Sequence, residues 1–265
     1  MVGLLQSSGV RHRRPQFHPL RVAGVERLTD RAVAVTFDIP QELREAFRFQ
    51  PGQHLTLRAP IDDVDVRRSY SICLSSAQAA GTGQLRIASN EVDGGAMSTW
   101  LNHAVSVGDT IGVLAPLGEF VCPTDPATAR RIVAVAAGSG ITPVISLVRS
   151  VLEEEPGSHV TLLFGNRSPD STMFSGELGA LAEEYADRFD LIEVFSRVPV
   201  HDPLLAGRID GDRLLRILAR TGVRPADVDE WFLCGPIRMV ENLRGTLGAQ
   251  GVDQAHVHHE EFFQT

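Results

Sequence analysis

Two glycines, a threonine and a proline stand together at residues 138–143, where the sequence reads Gly-Ser-Gly-Ile-Thr-Pro directly after an apolar run. Gly138 and Gly140 allow the backbone to approach a ligand closely. Thr142 suits a helix N-cap and Pro143 suits the first turn, so a helix is expected to begin here with free N–H groups facing a phosphate. Because Pro143 replaces the third glycine of the dinucleotide fingerprint, a tight turn without a ligand remains an alternative.

A second group of residues, Arg68-Ser69-Tyr70-Ser71, lies on a predicted strand. Side chains alternate along a strand, so Arg68 and Tyr70 share one face while Ser69 and Ser71 share the other. An arginine can hold a phosphate through two hydrogen bonds, and a tyrosine beside it can stack on a flat ring. Taken alone, the motif favours the plainer interpretation of an exposed arginine beside a half-buried tyrosine.

A third group of residues, at positions 94–99, reads Gly-Gly-Ala-Met-Ser-Thr. Two glycines lead into a predicted helix, whose N-terminus offers backbone N–H groups to an anion, with the hydroxyls of Ser98 and Thr99 nearby. The alternative is a glycine turn with a capping serine.

A fourth group, at residues 234–239, reads Cys-Gly-Pro-Ile-Arg-Met at the end of a predicted late strand. The carboxyl ends of strands in an open parallel sheet are where ligands bind. Gly235 and Pro236 are expected to break the strand, so that backbone faces a planar ligand. The alternative is a buried Cys234 followed by a sharp turn.

The first half of the chain has the pattern of short strands separated by turns, which predicts a small antiparallel barrel. The predicted strands lie at residues 31–38, 53–58, 67–74, 84–90 and 110–114. Two short helices are expected among them, at residues 41–47 and 97–104.

The second half alternates strands with helices, which predicts an α/β fold with a parallel sheet. Strands are expected at residues 132–137, 159–164, 189–195 and 230–234 and near Val257, and helices at residues 143–155, 175–185, 210–221 and 237–248. The continuous apolar run at residues 132–137 is typical of a strand buried on both faces.

The change of pattern predicts two domains with a boundary in the Pro/Thr/Asp-containing stretch near residue 125. We expect a flexible tail over residues 1–15, a first domain over residues 16–124 and a second over residues 125–265. This division agrees with a length of 265 residues, since one domain takes roughly 150 residues.

Composition excludes several classes of protein. The net charge is −8 and no block of basic residues stands out, so nucleic-acid binding is not expected. The three cysteines lie far apart and form no C-x-x-C, so the chain's own thiolates do not build a zinc site or an iron–sulfur cluster. An odd number of cysteines without a secretion signal predicts a cytoplasmic protein. The most apolar segment, residues 132–148, is too short and too interrupted to cross a membrane.

The order and spacing of the four groups are more specific than any of them alone. R-x-Y-S, G-G-x-x-S, G-S-G-I-T-P and C-G-P-x-x-M, followed by a terminal glutamate and phenylalanine, resemble the ferredoxin–NADP⁺ reductase superfamily from about Phe17 to Phe263. Within it, the chain resembles the reductase subunits of phenylacetyl-CoA epoxidases and of related multicomponent oxygenases. The resemblance implies an antiparallel six-stranded flavin-binding barrel followed by a parallel-sheet nucleotide-binding domain.

The resemblance also implies roles on the barrel side. Arg68 holds the flavin phosphates and Tyr70 stacks on the isoalloxazine. Ser69 belongs to the same cofactor-binding segment, and Ser71 bonds near the flavin N5 atom. A second phosphate-binding turn, which favours FAD over FMN, is matched by Gly95, Met97 and Ser98.

On the nucleotide side, the resemblance assigns Thr142 to the nicotinamide, within the dinucleotide-binding turn of Gly138, Gly140, Thr142 and Pro143. Cys234 and Gly235 lie near the carbon that gives up the hydride. Glu260 and Phe262 match the C-terminal pair that closes over the flavin. The implied catalytic residues are Ser71, Cys234 and Glu260.

The choice of dinucleotide depends on Ser196 and Arg197, which follow the predicted strand at residues 189–195. An acidic residue there reads the ribose hydroxyl of NADH, whereas an arginine suits the 2′-phosphate of NADPH. Arg167 and Arg208 are further candidates for this contact. The cofactors are therefore predicted to be FAD and NADPH, with NADH the less favoured dinucleotide and ordinary surface arginines the alternative.

Three histidines near the C-terminus, His256, His258 and His259, raise the question of a metal. Alternation puts His256 and His258 on one face, but no carboxylate or cysteine completes a ligand set, so no metal is predicted.

The predicted function is transfer of electrons from NADPH through FAD to a [2Fe–2S] centre that serves an oxygenase component. The phenylacetyl-CoA epoxidase reductases carry a ferredoxin domain with a C-x4-C-x2-C run that this sequence lacks. The acceptor is therefore either a ferredoxin domain encoded beyond this sequence or a separate ferredoxin. The alternatives are a free-standing flavin reductase or diaphorase, and a non-catalytic electron-transfer subunit. The oligomeric state is left open.

Overall fold

The computed structural model describes residues 16–262. The tail predicted for residues 1–15 lies outside the described residues, as do residues 263–265. In the described part the chain forms two sheets, one from each half of the sequence. Among residues 16–262, none of the helices has the length and hydropathy of a membrane-spanning segment.

The first sheet contains six antiparallel strands. They are β1 (His18–Thr29), β2 (Ala32–Asp38), β3 (His54–Ile61), β4 (Val64–Ser71), β5 (Gln84–Asn90) and β6 (Thr110–Val113). Neighbouring strands follow the order β4-β3-β6-β1-β2-β5. A bridge between Ile72 and Ile87 joins the chain after β4 to β5, so the two edges meet and the predicted barrel is confirmed.

Alternation along the strands decides what fills the barrel and what covers it. In β2, Val33, Val35 and Phe37 point into the barrel core. The alternate residues Ala32 and Ala34 are equally buried, but they belong to the core of the second sheet. This strand is therefore covered on both faces, and its small alanines let the second half of the chain pack closely.

Two helices interrupt the barrel, α1 (Ser76–Thr82) and α2 (Ala96–His103). The second agrees with the predicted helix to within one residue at each end. The first was missed, although Ser75 and Gln78 form a capping box and Gly83 ends the helix in the left-handed conformation.

The helix predicted over residues 41–47 is wrong. Only a single 3-10 turn forms, at Gln41–Leu43. Leu43 and Phe47 still pack on the barrel core, but residues 44–47 form turns instead of continuing the helix, because a segment this short is marginal as a helix.

The second sheet contains five parallel strands in the order β11-β10-β7-β8-β9. The strands are β7 (Arg131–Ala137), β8 (His159–Asn166), β9 (Phe189–Phe195), β10 (Glu230–Pro236) and β11 (Val257–Phe262). The helices are α3 (Ile141–Glu154), α4 (Ser175–Glu184), α5 (Gly211–Thr221) and α6 (Ile237–Ala249). Every element predicted for this half is present, and the parallel α/β architecture is confirmed.

Helix α3 lies between the sheet and the barrel. Its residues from Ile141 to Leu152 are all buried, which is typical of a helix covered on every side. Its apolar side chains share one core with Ala32, Cys73 and Ala88 of the barrel half. The helix that begins at the glycine turn after β7 is thus also the surface on which the barrel rests.

Candidate functional site

The turn between β7 and α3 stands at the carboxyl edge of the parallel sheet. Residues Gly138–Gly140 form a 3-10 turn, and Gly140 is the N-cap of α3. The prediction that Thr142 is the N-cap is therefore wrong. The helix starts two residues earlier than predicted, and the Thr142 hydroxyl donates a hydrogen bond to the Ser139 carbonyl at 2.9 Å. Pro143 lies in the first turn of α3, as expected.

The two glycines of this turn have different physical roles. Gly138 has a φ of +55°, and a Cβ placed on it would meet nothing within 4 Å. Open space therefore lies over Gly138, where a ligand can approach the backbone. A Cβ on Gly140 would lie 2.3 Å from the Cys234 carbonyl oxygen, so glycine is required for β10 to pack against the turn.

Strand β10 continues to Pro236, so the predicted break at Gly235 and Pro236 is wrong. Parallel pairing with β11 carries the ladder through these two residues, with Gly235 opposite Glu261 and Pro236 opposite Phe262. The φ of Gly235 is +150°, and a Cβ there would lie 3.2 Å from that of Ala137. The glycine permits close contact between β10 and the end of β7.

Cys234 is fully buried and lies opposite Glu260 in the β10–β11 ladder. Burial raises the pKa of the Cys234 thiol well above its usual value, and the Glu260 charge raises it further. Burial also raises the pKa of Glu260 to about 7. Its Oε2 atom is buried without a hydrogen-bond partner among residues 16–262. Phe262, half-buried, packs against the same core.

On the barrel side, β4 presents the faces that alternation predicts. Arg68 and Tyr70 lie opposite Leu57 and Leu55 of β3, on the side of the barrel core. Arg68 is exposed, and its Nη1 donates to the neighbouring Arg67 carbonyl at 2.8 Å. Burial raises the pKa of the Tyr70 phenol. A guanidinium and a half-buried aromatic ring thus stand on one face, which fits a phosphate beside a flat ring system.

Ser69 and Ser71 occupy the opposite face of β4 from that pair. The Ser69 hydroxyl lies 3.0 Å from that of Thr56 on the exposed side of the sheet, away from Arg68 and Tyr70. Ser71 is buried at the end of the strand and lies opposite His54 of β3. The structure therefore brings Ser71, but not the side chain of Ser69, to the boundary between barrel and sheet.

The sequence patterns did not single out His54 as a site residue, although it lies opposite Ser71. It follows the turn at residues 51–53 and pairs with Leu117 through two backbone hydrogen bonds. Its imidazole packs against Gly118, where a Cβ would lie 3.0 Å from Nδ1. Partial burial lowers the pKa of His54. In the sequence, the feature connected with this packing is Gly118, whose missing side chain leaves room for the His54 imidazole.

The glycine turn before α2 offers backbone donors. Gly94 has a φ of +74° with open space where a Cβ would be, and Gly95 is an N-cap without a side-chain bond. The first intrahelical bond runs from Thr99 to Gly95, so the three preceding N–H groups are free of the helix ladder. This arrangement fits an anion.

The side chains of Met97 and Ser98 do not face that anion position. Met97 is buried in the barrel core. The Ser98 hydroxyl accepts a bond from the Val92 N–H at 3.1 Å and donates to the Gly95 carbonyl at 3.0 Å. Their contribution to a phosphate site is their backbone N–H groups, with the serine hydroxyl fixing the turn.

At the far end of the sheet, Arg167 and Arg197 follow β8 and β9. The Arg197 N–H donates to the Arg167 carbonyl at 2.9 Å, which holds the two residues side by side. Both side chains are exposed, as is that of Arg208. Ion pairs within the described chain engage other arginines, such as Arg216, but not these three. Unpaired guanidinium groups at a strand edge fit a phosphate.

The three histidines near the C-terminus contact other charged side chains. His258 and His256 both lie against Glu230, at 2.8 and 3.4 Å, at the amino edge of the sheet and away from the residues above. His259 lies near Arg244. Within residues 16–262 no group of three or more His, Cys, Asp or Glu side chains is placed to hold a metal.

Two protein-family models match the chain. A model of the oxidoreductase FAD-binding domain matches residues 19–122, and a model of the oxidoreductase NAD-binding domain matches residues 134–245. The first range contains the strand with Arg68 and Tyr70, and the second contains the turn with Gly138 and the strand with Cys234.

The chain is 39% identical to one of the subunits of 1,2-phenylacetyl-CoA epoxidase from Escherichia coli, over 93% of this chain and 68% of that protein. It is 34% identical to the ferredoxin reductase component of 3-ketosteroid-9-alpha-monooxygenase from Rhodococcus rhodochrous, over 92% of this chain and 64% of that protein. The chain thus spans about two thirds of the length of these two relatives.

Among solved structures, a ferredoxin NADP⁺ reductase from Neisseria gonorrhoeae with bound FAD and NADP has the same fold. The TM-score is 0.77 at 21% identity, covering 94% of this chain and 99% of the other.

Proposed function

The chain belongs to the ferredoxin–NADP⁺ reductase family of FAD- and NAD-binding oxidoreductases, and from that premise we propose that it passes electrons from NADPH through FAD to a [2Fe–2S] centre serving an oxygenase. We assign FAD to residues 16–124 and the dinucleotide to residues 125–265. The named relatives are an epoxidase subunit and a monooxygenase reductase component, which supports this acceptor class.

One observation carries the proposal: the end of the Arg68–Ser71 strand is attached to the helix that begins at the dinucleotide turn. The Ser146 hydroxyl of α3 donates a 2.6 Å hydrogen bond to the Leu74 carbonyl, three residues after Ser71. The two proposed cofactor-binding regions are therefore attached to the same buried helix. Such an arrangement suits a reaction that depends on close alignment of two reacting rings.

The residues on the barrel side would hold FAD. Arg68 and the N–H groups at the start of α2 would bind its phosphates, Tyr70 would cover its ring system, and Ser71 would donate a hydrogen bond to the ring. When bound, FAD supplies the chemistry that links a two-electron donor to one-electron acceptors.

The residues at the sheet edge would hold the dinucleotide. The turn at residues 138–143 would bind the diphosphate, and Cys234 and Gly235 would border the nicotinamide. Glu260, with a pKa of about 7, can hold or release a proton at the ring edge near neutral pH. Phe262 would cover the ring from the C-terminal strand.

NADPH is the proposed donor because Arg197, with Arg167 beside it, presents exposed positive charge without an ion pair in residues 16–262, and the exposed Ser196 precedes it at the end of β9. A carboxylate would be expected there for NADH. The three cysteines are buried as free thiols, which supports a cytoplasmic location.

Anaerobic stopped-flow mixing tests the proposal. The FAD-loaded protein should bleach rapidly with NADPH and then be reoxidised by an added [2Fe–2S] ferredoxin. Rapid bleaching followed by reoxidation only by free flavin or oxygen would indicate a diaphorase. No bleaching by either NADPH or NADH would indicate a non-catalytic subunit and would overturn both enzymatic functions.

A further inference from the structure

Asn166, the last residue of β8, carries a buried donor with no acceptor. The residue is 7% exposed, and its Nδ2 atom has no hydrogen-bond partner in the described chain. Leaving such a group unsatisfied destabilises the folded state, because the donor loses its hydrogen bonds to water without gaining a protein acceptor. Most buried polar side chains in native proteins are paired, so an orphan donor calls for a specific reason.

The backbone around Asn166 is held firmly. Its carbonyl accepts the N–H of Ser196 at 2.9 Å and the hydroxyl of Ser196 at 3.2 Å. Relaxation of the strand to find a new partner for the side chain would break both bonds. The side chain is free only to turn about its own bonds, and a half-turn exchanges its amide and carbonyl ends without changing its shape.

The position of Asn166 in the sheet indicates what the donor meets. Gly165 lies opposite Ala137, the last residue of β7, so Asn166 on β8 lies beside Gly138, the first residue of the turn after β7. On its other side Asn166 lies opposite Phe195, directly before Ser196. The residue therefore stands between the open space over Gly138 and the arginines at the end of β9.

The strand order places Asn166 on the path that a bound dinucleotide would follow along the edge of the sheet. Along the edge, Cys234 of β10 is followed by the Gly138 turn after β7, Asn166 of β8 and Arg197 after β9. A dinucleotide with its nicotinamide at Cys234 and its 2′-phosphate at Arg197 must cross β8 with the ribose and phosphate of its adenosine half. Adjacent strands are about 4.8 Å apart, so the crossing fits a ribose-phosphate unit.

We propose that Asn166 binds the adenosine-side ribose-phosphate of the dinucleotide, as a contact common to NADPH and NADH. This proposal rests on the proposed function. The side chain lies on the face of β8 shared by Leu162 and Phe164, towards α3 and its N-terminal turn. A phosphate or ribose oxygen supplies the acceptor that the protein itself lacks.

Replacement of Asn166 by leucine, which has the same branched shape without the donor, separates a ligand contact from a structural one. Binding of NADP⁺, NAD⁺ and 2′,5′-ADP is measured by calorimetry, and thermal unfolding is measured without nucleotide. Asn166→Leu should raise Kd about tenfold for all three ligands while leaving Tm equal to or above that of the parent. Asn166→Asp, whose carboxylate repels a phosphate, should raise Kd further.

Asn102→Leu is the control for the sign of the stability change. Asn102 is also buried, but its amide donates to the Ser89 and Ser98 carbonyls, so its replacement should lower Tm. An Asn166→Leu protein with unchanged Kd would overturn the inference, as would one whose Tm falls as far as that of Asn102→Leu. If the parent protein binds none of the three ligands, the proposed function fails instead.

Discussion

Cys234 and Glu260 lie opposite each other on β10 and β11, with both side chains turned towards the barrel half of the chain. Water is largely excluded from this position, and no basic side chain pairs with the carboxyl within residues 16–262. The result is a thiol that stays protonated and a carboxyl with a pKa of about 7. Both acids are neutral in mildly acidic solution at the edge proposed for the nicotinamide.

Glu260→Gln should change how stability depends on pH. The folded-state pKa of about 7 lies above the ordinary value of 4.5, so folding favours the protonated acid. The stabilisation that protonated Glu260 contributes to the folded state is fully present below about pH 4.5. It is lost as the pH rises to about 7, which lowers the free energy of unfolding by up to about 3 kcal/mol.

Urea unfolding of parent and variant between pH 4.5 and 8 measures this effect. The free energy of unfolding of Glu260→Gln, relative to the parent, should rise with pH across that window and then level off. Glu261→Gln, on the other face of β11, is the control for removal of a carboxyl from the same strand. A Glu260→Gln curve that runs parallel to that of the parent across the window would contradict the raised pKa of Glu260.

Arg197→Ala should weaken the binding of NADPH much more than the binding of NADH. The side chain is exposed and without an ion pair in the described part of the chain, so its removal costs little stability. Loss of a charge-assisted bond to the 2′-phosphate should raise KM for NADPH roughly 10- to 100-fold, with KM for NADH within about twofold. Steady-state kinetics with both donors measure the ratio.

Arg216→Ala is the control for Arg197→Ala. Arg216 is an exposed arginine of α5 whose carboxylate partner, Asp212, lies on the same helix, so neither KM should move. Equal changes for NADPH and NADH in Arg197→Ala would remove the assignment of the 2′-phosphate to this residue.

The sequence predicted ten of the eleven strands of the described chain, because their patterns are local, but it missed β1 (His18–Thr29). Residues 84–90 and 189–195 were predicted with the observed bounds, since an apolar or alternating run between turn residues fixes a strand by itself. The helix at Ser76–Thr82 was missed because it is short and buries no side chain, although its capping box was visible.

The wrong predictions within the site concern features that depend on residues distant in the sequence. The start of α3 is set by how closely Gly140 packs on the Cys234 carbonyl, more than ninety positions away in the sequence. The ladder through Gly235 and Pro236 exists because β11, the last strand of the chain, pairs there. Asn166 stands in the segment Phe164-Gly165-Asn166-Arg167, which contributes to the family resemblance, but the missing partner of its side chain is visible only in three dimensions.

Arg68→Ala should weaken retention of FAD. Arg68 is exposed, and within residues 16–262 its guanidinium bonds only the Arg67 carbonyl, so its loss should leave folding intact. Removal of a guanidinium from a phosphate costs about 1.5–3 kcal/mol, or roughly 10- to 100-fold in Kd. Flavin stoichiometry after gel filtration and fluorescence titration of the apoprotein both report the change.

Arg67→Ala is the neighbouring control for Arg68→Ala. Arg67 lies on the opposite face of β4 and pairs with Asp65, so flavin stoichiometry should be unaffected. An Arg68→Ala protein that retains one FAD through gel filtration with an unchanged Kd would contradict the phosphate role.

Ser146→Ala should slow electron transfer between the cofactors without weakening either one's binding. The Ser146 hydroxyl is fully buried and holds the Leu74 carbonyl at 2.6 Å, while the nearby Ser150 hydroxyl accepts the Ser76 N–H at 3.2 Å. These bonds fix the chain after Ser71 to α3. Loss of the first leaves a buried carbonyl unsatisfied at about 1–3 kcal/mol, which favours a shift of the strand.

Ser158→Ala separates positioning from stability in this experiment. Ser158 is equally buried, and its hydroxyl donates a 2.6 Å bond to Glu155 and makes no bond to the chain after Ser71. Both variants should unfold at lower urea concentrations than the parent. Only in Ser146→Ala should the bound FAD be bleached more slowly by NADPH in a single turnover, by about 5- to 10-fold. Small misalignments of the two reacting rings slow the transfer between them. Equal bleaching rates in the two variants, at equal losses of stability, would show that the bond serves folding alone.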